Sequence, residues 1–237
     1  MSGELKMKQI TSDELKEILD KHAKWLRKKD SGECANLKEA DLKGANLENA
    51  KLENANLEGA DLTGARLWGA NLNCANLKNA ILKGADLTDE GIRPASLDEI
   101  HLEDADLSDL DLSFLSFIDA HLEDANLSGA NLRCADLTGA RLWGANLKGA
   151  NLEEACLKGA FLREANLEGA NLRSADLSEA YFGAANLKKA NLKGANLENA
   201  NFEDDANLEG TDFSAAKING ANFKGANLEK ANLKNAK

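Results

Sequence analysis

"ANLKEADLKGANLEN" occupies residues 35–49 and consists of three variants of one five-letter phrase. With Ala35 as first letter, the frame runs without a slip to Asp204, giving 34 repeats. After one extra residue, Asp205, six more repeats run from Ala206 to Asn235. Ala opens 35 of the 40 repeats, the exceptions being Glu90, Ile100, Leu110, Leu115 and Thr211. The third letter is Leu, Phe or Ile throughout. Apolar letters one and three around a polar letter two form the period-two signature of a short extended segment with one buried face. Letters four and five are mostly Lys, Glu, Ser, Thr, Gly and Asn, residues suited to a turn. A helix is a poor fit, because a period of five drifts around a 3.6-residue wheel and leaves no stripe. Each repeat is therefore a minimal strand and a corner that cannot bury its face alone. Stacking supplies the missing partner. The small first letter and large third letter imply a narrow interior filled by Leu, with Ala at the tight corners.

The size of one turn is written in recurring side chains. Phe182, Phe202 and Phe223 are 20 and 21 residues apart, the longer step containing Asp205, and His101 and His121 are 20 apart. Four repeats per coil place each set in one column. Phrases such as ADLTG, ANLEG and ANLKG resemble the pentapeptide-repeat family, whose motif is A(D/N)LXX, and the likeness covers residues 35–235. It implies an all-β solenoid, a right-handed quadrilateral β-helix with letters one and three inside. About ten coils at a strand spacing of ~4.8 Å would make a rod of roughly 48 Å.

The sequence divides into an N-terminal segment, 1–34, and the repeat domain, 35–237. Thr11 and Glu14 stand at capping-box spacing, and Leu15, Ile18, Leu19, His22, Trp25 and Leu26 follow at helical spacing. This predicts one amphipathic capping helix over residues 11–29 that lids the first coil, with His22 at its boundary. Residues 1–34 carry eight Lys/Arg against seven acids, which argues against a membrane-surface helix. At the other end ANLKNAK provides no covering helix, so the uncapped C-terminal coil is a candidate surface for a head-to-head homodimer.

Composition narrows the function. The 237 residues carry a net charge of −11 and are 43% hydrophobic, so disorder for want of apolar content is not expected, and one Pro is unusual for a compact core. MSGELKMKQI lacks an apolar export core and no apolar run reaches membrane-spanning length, so a cytoplasmic protein is expected, with no membrane partner. Cys34, Cys74, Cys134 and Cys156 form no CxxC pair, and no His/Cys spacing marks a zinc site. No EF-hand or RTX-type spacing points to calcium. Gly59, Gly64 and Gly69 are turn glycines and no phosphate cradle. No nucleophile–base set is present either, so neither an enzyme, a cofactor, a metal nor a nucleic-acid partner is expected.

The surface carries the remaining signal. "IHLEDADLSDLDLSFLSFIDAHLED", residues 100–124, breaks the Ala rule three times and is crowded with acids. Residues 85–124 hold thirteen acids, among them Glu103, Asp104, Asp106, Asp109 and Asp111, against Arg93 alone. The rest of the chain is nearly neutral, so the acidity is a belt. EGIRP, residues 90–94, would put Glu90 inside and Pro94 in a corner. Either the coil swells in this region or part of it peels outward. A 20-residue step also lines up Ile81, His101, His121, Arg141, Phe161 and Tyr181, with Trp143 and Arg163 as fourth letters of that face and Trp68 on an adjacent one. Apolar, aromatic and Arg side chains in one column have the composition of a protein-contact surface. The expected function is a non-enzymatic scaffold or protein-binding rod that presents belt and column to a protein partner. The family resemblance implies an alternative, a DNA mimic that binds DNA gyrase. Such mimics have a pairing C-terminal helix and some have projecting loops; neither is evident here, and a duplex mimic needs charge spread along its length.

Overall fold

The computed structural model describes residues 7–88 and 95–237. From Ala35 onward, first and third letters point inward and are buried over most of the rod, forming one continuous core. Second letters pair in parallel with those of the next coil, as in Asn36 with Asn56 and Asn126 with Asn146. The Leu37 amide donates to the Asn56 carbonyl (2.7 Å) and the Asn56 amide to the Ala35 carbonyl (2.9 Å), a ladder that recurs up the rod. Four repeats make one square coil, as the Phe and His spacing implied.

The corners are turns of one kind. The Ala40 amide returns to the Leu37 carbonyl (3.1 Å), and letter five has positive φ whether it is Glu39 (55°), Asn49 (54°) or Gly69 (68°). A negative letter four followed by a positive letter five is the type II turn. Second-letter Asn or Asp supports it: Asn46 Oδ1 accepts from the Glu48 amide (3.1 Å), an Asx turn. A methyl group added at Gly149 (φ 66°) would meet no atom within 4 Å, whereas at Gly139 (φ 68°) it would stand 2.3 Å from Asp119 Oδ1. Gly149→Ala should therefore cost only the left-handed backbone penalty, about 1 kcal/mol. Gly139→Ala should cost more, because the Asp119 carboxylate must turn away. Urea midpoints of the two variants measure the difference, and equal midpoints would refute it.

The middle of the rod departs from this regularity in two ways. Asn71 pairs with Ser96, Asn76 with His101 and Ile81 with Asp106, a step of 25 residues where 20 is usual. The Ala95 amide closes on the Leu87 carbonyl (2.8 Å), whereas the equivalent bond one corner earlier joins Ala85 to Leu82. One repeat length is thus added between two rungs, and the expectation of a chain without inserted residues is corrected. EGIRP, with Glu90 and Pro94, lies outside the described residues. Secondly, Ile100, Leu110 and Leu115 share the next coil, and all three are buried at first-letter positions. Their corner bonds to Leu97, Leu107 and Leu112 stretch to 3.4 Å each, against 2.8–3.1 Å for most corners. The extra bulk widens this coil.

A lid closes the first coil. β1 (Lys8–Gln9) pairs in parallel with β2 (Ala40–Asp41), adding a partial rung beneath the repeats. α1 (Ser12–Leu26) follows, with Thr11 as N-cap and the expected capping box: Glu14 Oε2 accepts from the Thr11 amide (2.8 Å) and Thr11 Oγ1 from the Glu14 amide (3.2 Å). The helix ends at Leu26, three residues short of the expected end. Lys28 takes positive φ (53°), and the Lys28 and Lys29 amides turn back to the Trp25 and Lys24 carbonyls, a Schellman stop. Leu15 is buried, and Ile10, Ile18 and Leu19 pack against the core beside it. His22, expected at the boundary, is instead fully buried. Its Nδ1 accepts the Ala35 amide (3.0 Å), which has no preceding corner to bond to. Among the described residues, no helix is long and apolar enough to cross a membrane.

Candidate functional site

The added repeat resets the columns. His101, His121, Arg141, Phe161 and Tyr181 are successive rungs of one face. Ile81 is not among them; it stands over Asp61 and under Asp106 on the neighbouring face. Trp68 follows Arg66, which pairs with Asp86 one further corner away, so it lies opposite the column and not beside it. Upward from Arg141 the column becomes an aromatic strip. The Phe161 and Tyr181 rings stack at 5.3 Å (8° between planes), and Trp143 meets Phe161 edge-on at 6.2 Å. Trp143 is 50% exposed, Phe161 36% and Tyr181 48%. Arg163, the next fourth letter, borders a shallow depression with Trp143, Glu123 and Asp124.

The acids of the belt separate into three kinds. Asp106 and Asp111 each accept two bonds or more at Oδ1: Asp106 from the Ser108 amide (3.1 Å) and Asn126 Nδ2 (3.0 Å), and Asp111 from the Ser113 amide (3.1 Å), Ser113 Oγ (2.7 Å) and Asn131 Nδ2 (2.9 Å). Above them each Asn donates to the one beneath, as Asn146 does to Asn126 (3.1 Å) and Asn151 to Asn131 (3.1 Å). A carboxylate accepts but cannot donate, so Asp106 starts a ladder above Ile81, which offers no acceptor. Burial alone would raise the Asp106 carboxyl, but the Ser108 and Asn126 bonds outweigh it and hold it below the usual carboxylate range. Asp104 and Asp109 are fifth letters, exposed and with positive φ (58° and 57°), a conformation that short polar side chains tolerate.

Glu103 is the third kind. It is a half-buried fourth letter whose Oε1 lies 3.1 Å from His101 Nδ1 and 3.7 Å from His121 Nδ1. The two imidazole rings lie 4.3 Å apart between centroids, tilted by 44°. Burial alone would raise the Glu103 carboxyl, but the bond to His101, its own backbone and the two imidazoles hold it below the usual range. One donor atom from each of His101, Glu103 and His121 falls within 4.8 Å of the others.

The repeat itself, coil by coil, identifies the family. The profile described as Pentapeptide repeats matches residues 33–69, 50–89, 95–133, 105–144, 130–169, 165–204 and 206–237. The chain belongs to the pentapeptide-repeat family. Its fold is accordingly the right-handed quadrilateral β-helix. No block of the profile covers 90–94, where the rung step lengthens. Among solved structures, this pentapeptide-repeat protein is similar to HetL from the cyanobacterium Nostoc sp. strain PCC 7120, described as involved in heterocyst differentiation regulation. They share 33% identity over 85% of this chain and 86% of that one, with a TM-score of 0.67. Likeness to QnrB1, a plasmid-mediated fluoroquinolone resistance protein, is weaker: 20% identity over 79% and 88% of the two chains, TM-score 0.32. Comparison with curated proteins gives no match.

Sequence reasoning missed three features of this pentapeptide-repeat protein. Phe114 is a fifth letter with φ 63°, 56% exposed, with the Arg133 guanidinium 5.9 Å from its ring. A bulky residue in that conformation is strained, and a fifth-letter Phe was the available signal. Glu123, one coil above Glu103, has a buried Oε2 without a hydrogen-bond partner, as does Glu103. The joint reach of Glu103 to both imidazoles depends on stacking and on rotamers, which no local spacing encodes.

Proposed function

We propose that the rod is a non-enzymatic protein-binding scaffold. Its contact face is the column His101, His121, Arg141, Phe161 and Tyr181 with Trp143, bordered by the exposed acid Asp104, with Asp109 one corner further round. The observation that carries this reading is the aromatic strip. Three of the seven large apolar side chains exposed among the described residues touch one another there. Contiguous aromatic surface beside Arg is the composition of an interface core. In a rigid coil its side chains bind with little further loss of freedom. Ladder starters such as Asp106 and Asp111 belong to the scaffold, and Asp104 to the rim. Likeness to HetL supports a regulatory scaffold role of this kind; the weaker resemblance to QnrB1 lends nothing to the DNA-mimic alternative, and the charge distribution speaks against it.

The test separates rim from strip. Asp104→Asn keeps a side chain suited to positive φ while removing one of two like charges stacked at one corner, since Asp124 is the fifth letter one coil above it. It should raise stability by up to about 1 kcal/mol, or roughly 2–4 °C for a chain of this size. Added salt should do the same for the wild type, since the screening length at 0.1 M, about 10 Å, spans about two coils. Trp143→Ala with Tyr181→Ala should leave melting nearly unchanged and abolish capture of a partner from the native host, while the rim variant weakens it. A strip variant that captures the same partner as wild type would refute the reading. Inhibition of gyrase supercoiling by the purified protein would replace it with the alternative.

A further inference from the structure

We propose that His101, Glu103 and His121 form a binding site for a divalent transition-metal ion, zinc by ligand type, on the widened coil. Two imidazoles and a carboxylate are a ligand set that zinc takes with a fourth position left open. Tetrahedral bonds of ~2.0–2.1 Å place neighbouring ligand atoms roughly 3.3 Å apart. The Glu103 Oε1 separations of 3.1 Å from His101 Nδ1 and 3.7 Å from His121 Nδ1 bracket that value. All three donor atoms lie within 4.8 Å of one another, so closing the set asks only for side-chain rotation on a backbone that two ladder bonds already fix: His121 amide to Ile100 carbonyl (2.9 Å) and Leu102 amide to His121 carbonyl (2.7 Å).

The charges around the corner point the same way. Fourth letters one coil apart pair in opposite sign at several corners, as Lys38 with Glu58 (3.1 Å) and Lys148 with Glu168 (3.0 Å). On this face the fourth letters run Lys38, Glu58, Lys78 and then Glu103 and Glu123, two acids in succession. The Lys78 amino group approaches Asp104 (3.8 Å). Oε2 of Glu103 and Oε2 of Glu123 are both buried and accept no hydrogen bond. Such oxygens are costly unless a cation or donor meets them. An ion held by the His–Glu–His set would offset the stacked charge, with Glu123 the next fourth-letter carboxylate up the column. His101 and His121 remain partly open, with 41% and 24% of their side chains exposed, so an ion can enter from solvent. The site needs no protein partner, although an open coordination position on the contact face could accept a ligand atom from one.

The experiment is titration of the metal-free full chain with zinc chloride by calorimetry, with cobalt(II) absorption reporting coordination geometry. We expect one ion per chain, visible cobalt bands of a four-coordinate site, and a melting temperature that rises with zinc. His101→Ala, His121→Ala and Glu103→Gln should each weaken binding at least tenfold. Asp109→Asn, an exposed belt acid on another corner, should leave it unchanged. Circular dichroism of the metal-free variants checks that each folds. Binding that persists in the His101→Ala, His121→Ala double variant would assign the ion to cysteines or scattered carboxylates and overturn the proposal. So would the absence of saturable binding in the wild type.

Discussion

Phe202→Ala should lower the stability of the rod by about 3–5 kcal/mol, the cost of an aromatic side chain deleted from a packed core. Phe202 lies at the centre of a four-ring cluster and is fully buried. Its ring stacks on Phe182 at 4.6 Å and on Phe223 at 5.0 Å, and Phe213 meets it edge-on at 6.5 Å. Stacked and edge-on pairs are worth about 0.5–1.5 kcal/mol beyond their buried area, so the truncation removes contacts on three sides. The coils cannot collapse into the gap, because ladder bonds tie this rung to the coil on either side, the Asn201 amide donating to the Ala180 carbonyl (2.8 Å) and the Phe202 amide to the Asn222 carbonyl (2.7 Å). The melting temperature should fall on the order of 10 °C. Phe202→Leu should cost less than about half as much, since Leu fills the third letter in most repeats. Thermal and urea melts of the two variants check both expectations. A Phe202→Ala variant within 1 kcal/mol of wild type would show that this end of the rod relaxes freely.

The second large effect concerns the lid. Deleting residues 1–30 should convert a well-behaved chain into one that associates through its first coil. The deletion removes the β1 rung, with its Lys8 amide to Glu39 carbonyl bond (2.8 Å), uncovers core that Leu15, Ile18 and Leu19 now pack against, and takes the His22 acceptor from the Ala35 amide. Without the lid that amide must turn to water for its acceptor. The exposed rungs form an open edge, which pairs readily with another chain. Light scattering after size exclusion should show dimers or larger species; a monodisperse monomer would mean that the helix is dispensable. The lid should also respond to pH. Burial lowers the His22 pKa, with the Glu53 backbone and charge opposing only in part, and Nδ1 must stay unprotonated to accept from Ala35. A histidine whose folded pKa is depressed gives its full stabilisation above the unfolded value, about 6.5. That contribution is lost as pH falls from there through the folded value. The full-length chain should therefore loosen at its first coil below about pH 6.5, read by hydrogen exchange at Ala35. His22→Ala should be weaker at neutral pH and insensitive across that window.

Much of this protein is decided by the order of its letters. Apolar letters one and three, repeated forty times without room for a helix, leave a stacked solenoid as the arrangement that buries them. The 20-residue recurrence of Phe and His set four repeats to the coil. Thr11 and Glu14 marked the start of α1, because capping is a local exchange of hydrogen bonds within four residues. The single-residue shift at Asp205 was likewise legible, since it changes the phase of everything after it.

Tertiary structure decided whatever depends on which coil lies above which. EGIRP keeps the five-letter frame, so nothing in the phase reveals that the rung step there is 25 residues, and Ile81 and Trp68 moved to other faces as a result. His22 fits the apolar stripe of α1, but its bond to Ala35 exists only once the helix lies across the first coil. The belt looked uniform as a count of acids. Stacking divided it into ladder starters, turn residues and one glutamate between two imidazoles, because a carboxylate's role is set by the donors that the neighbouring coils bring to it. Periodicity fixes what faces inward, since burial is read along the chain. The outward chemistry is fixed by register between coils, and register is a property of the stacked rod.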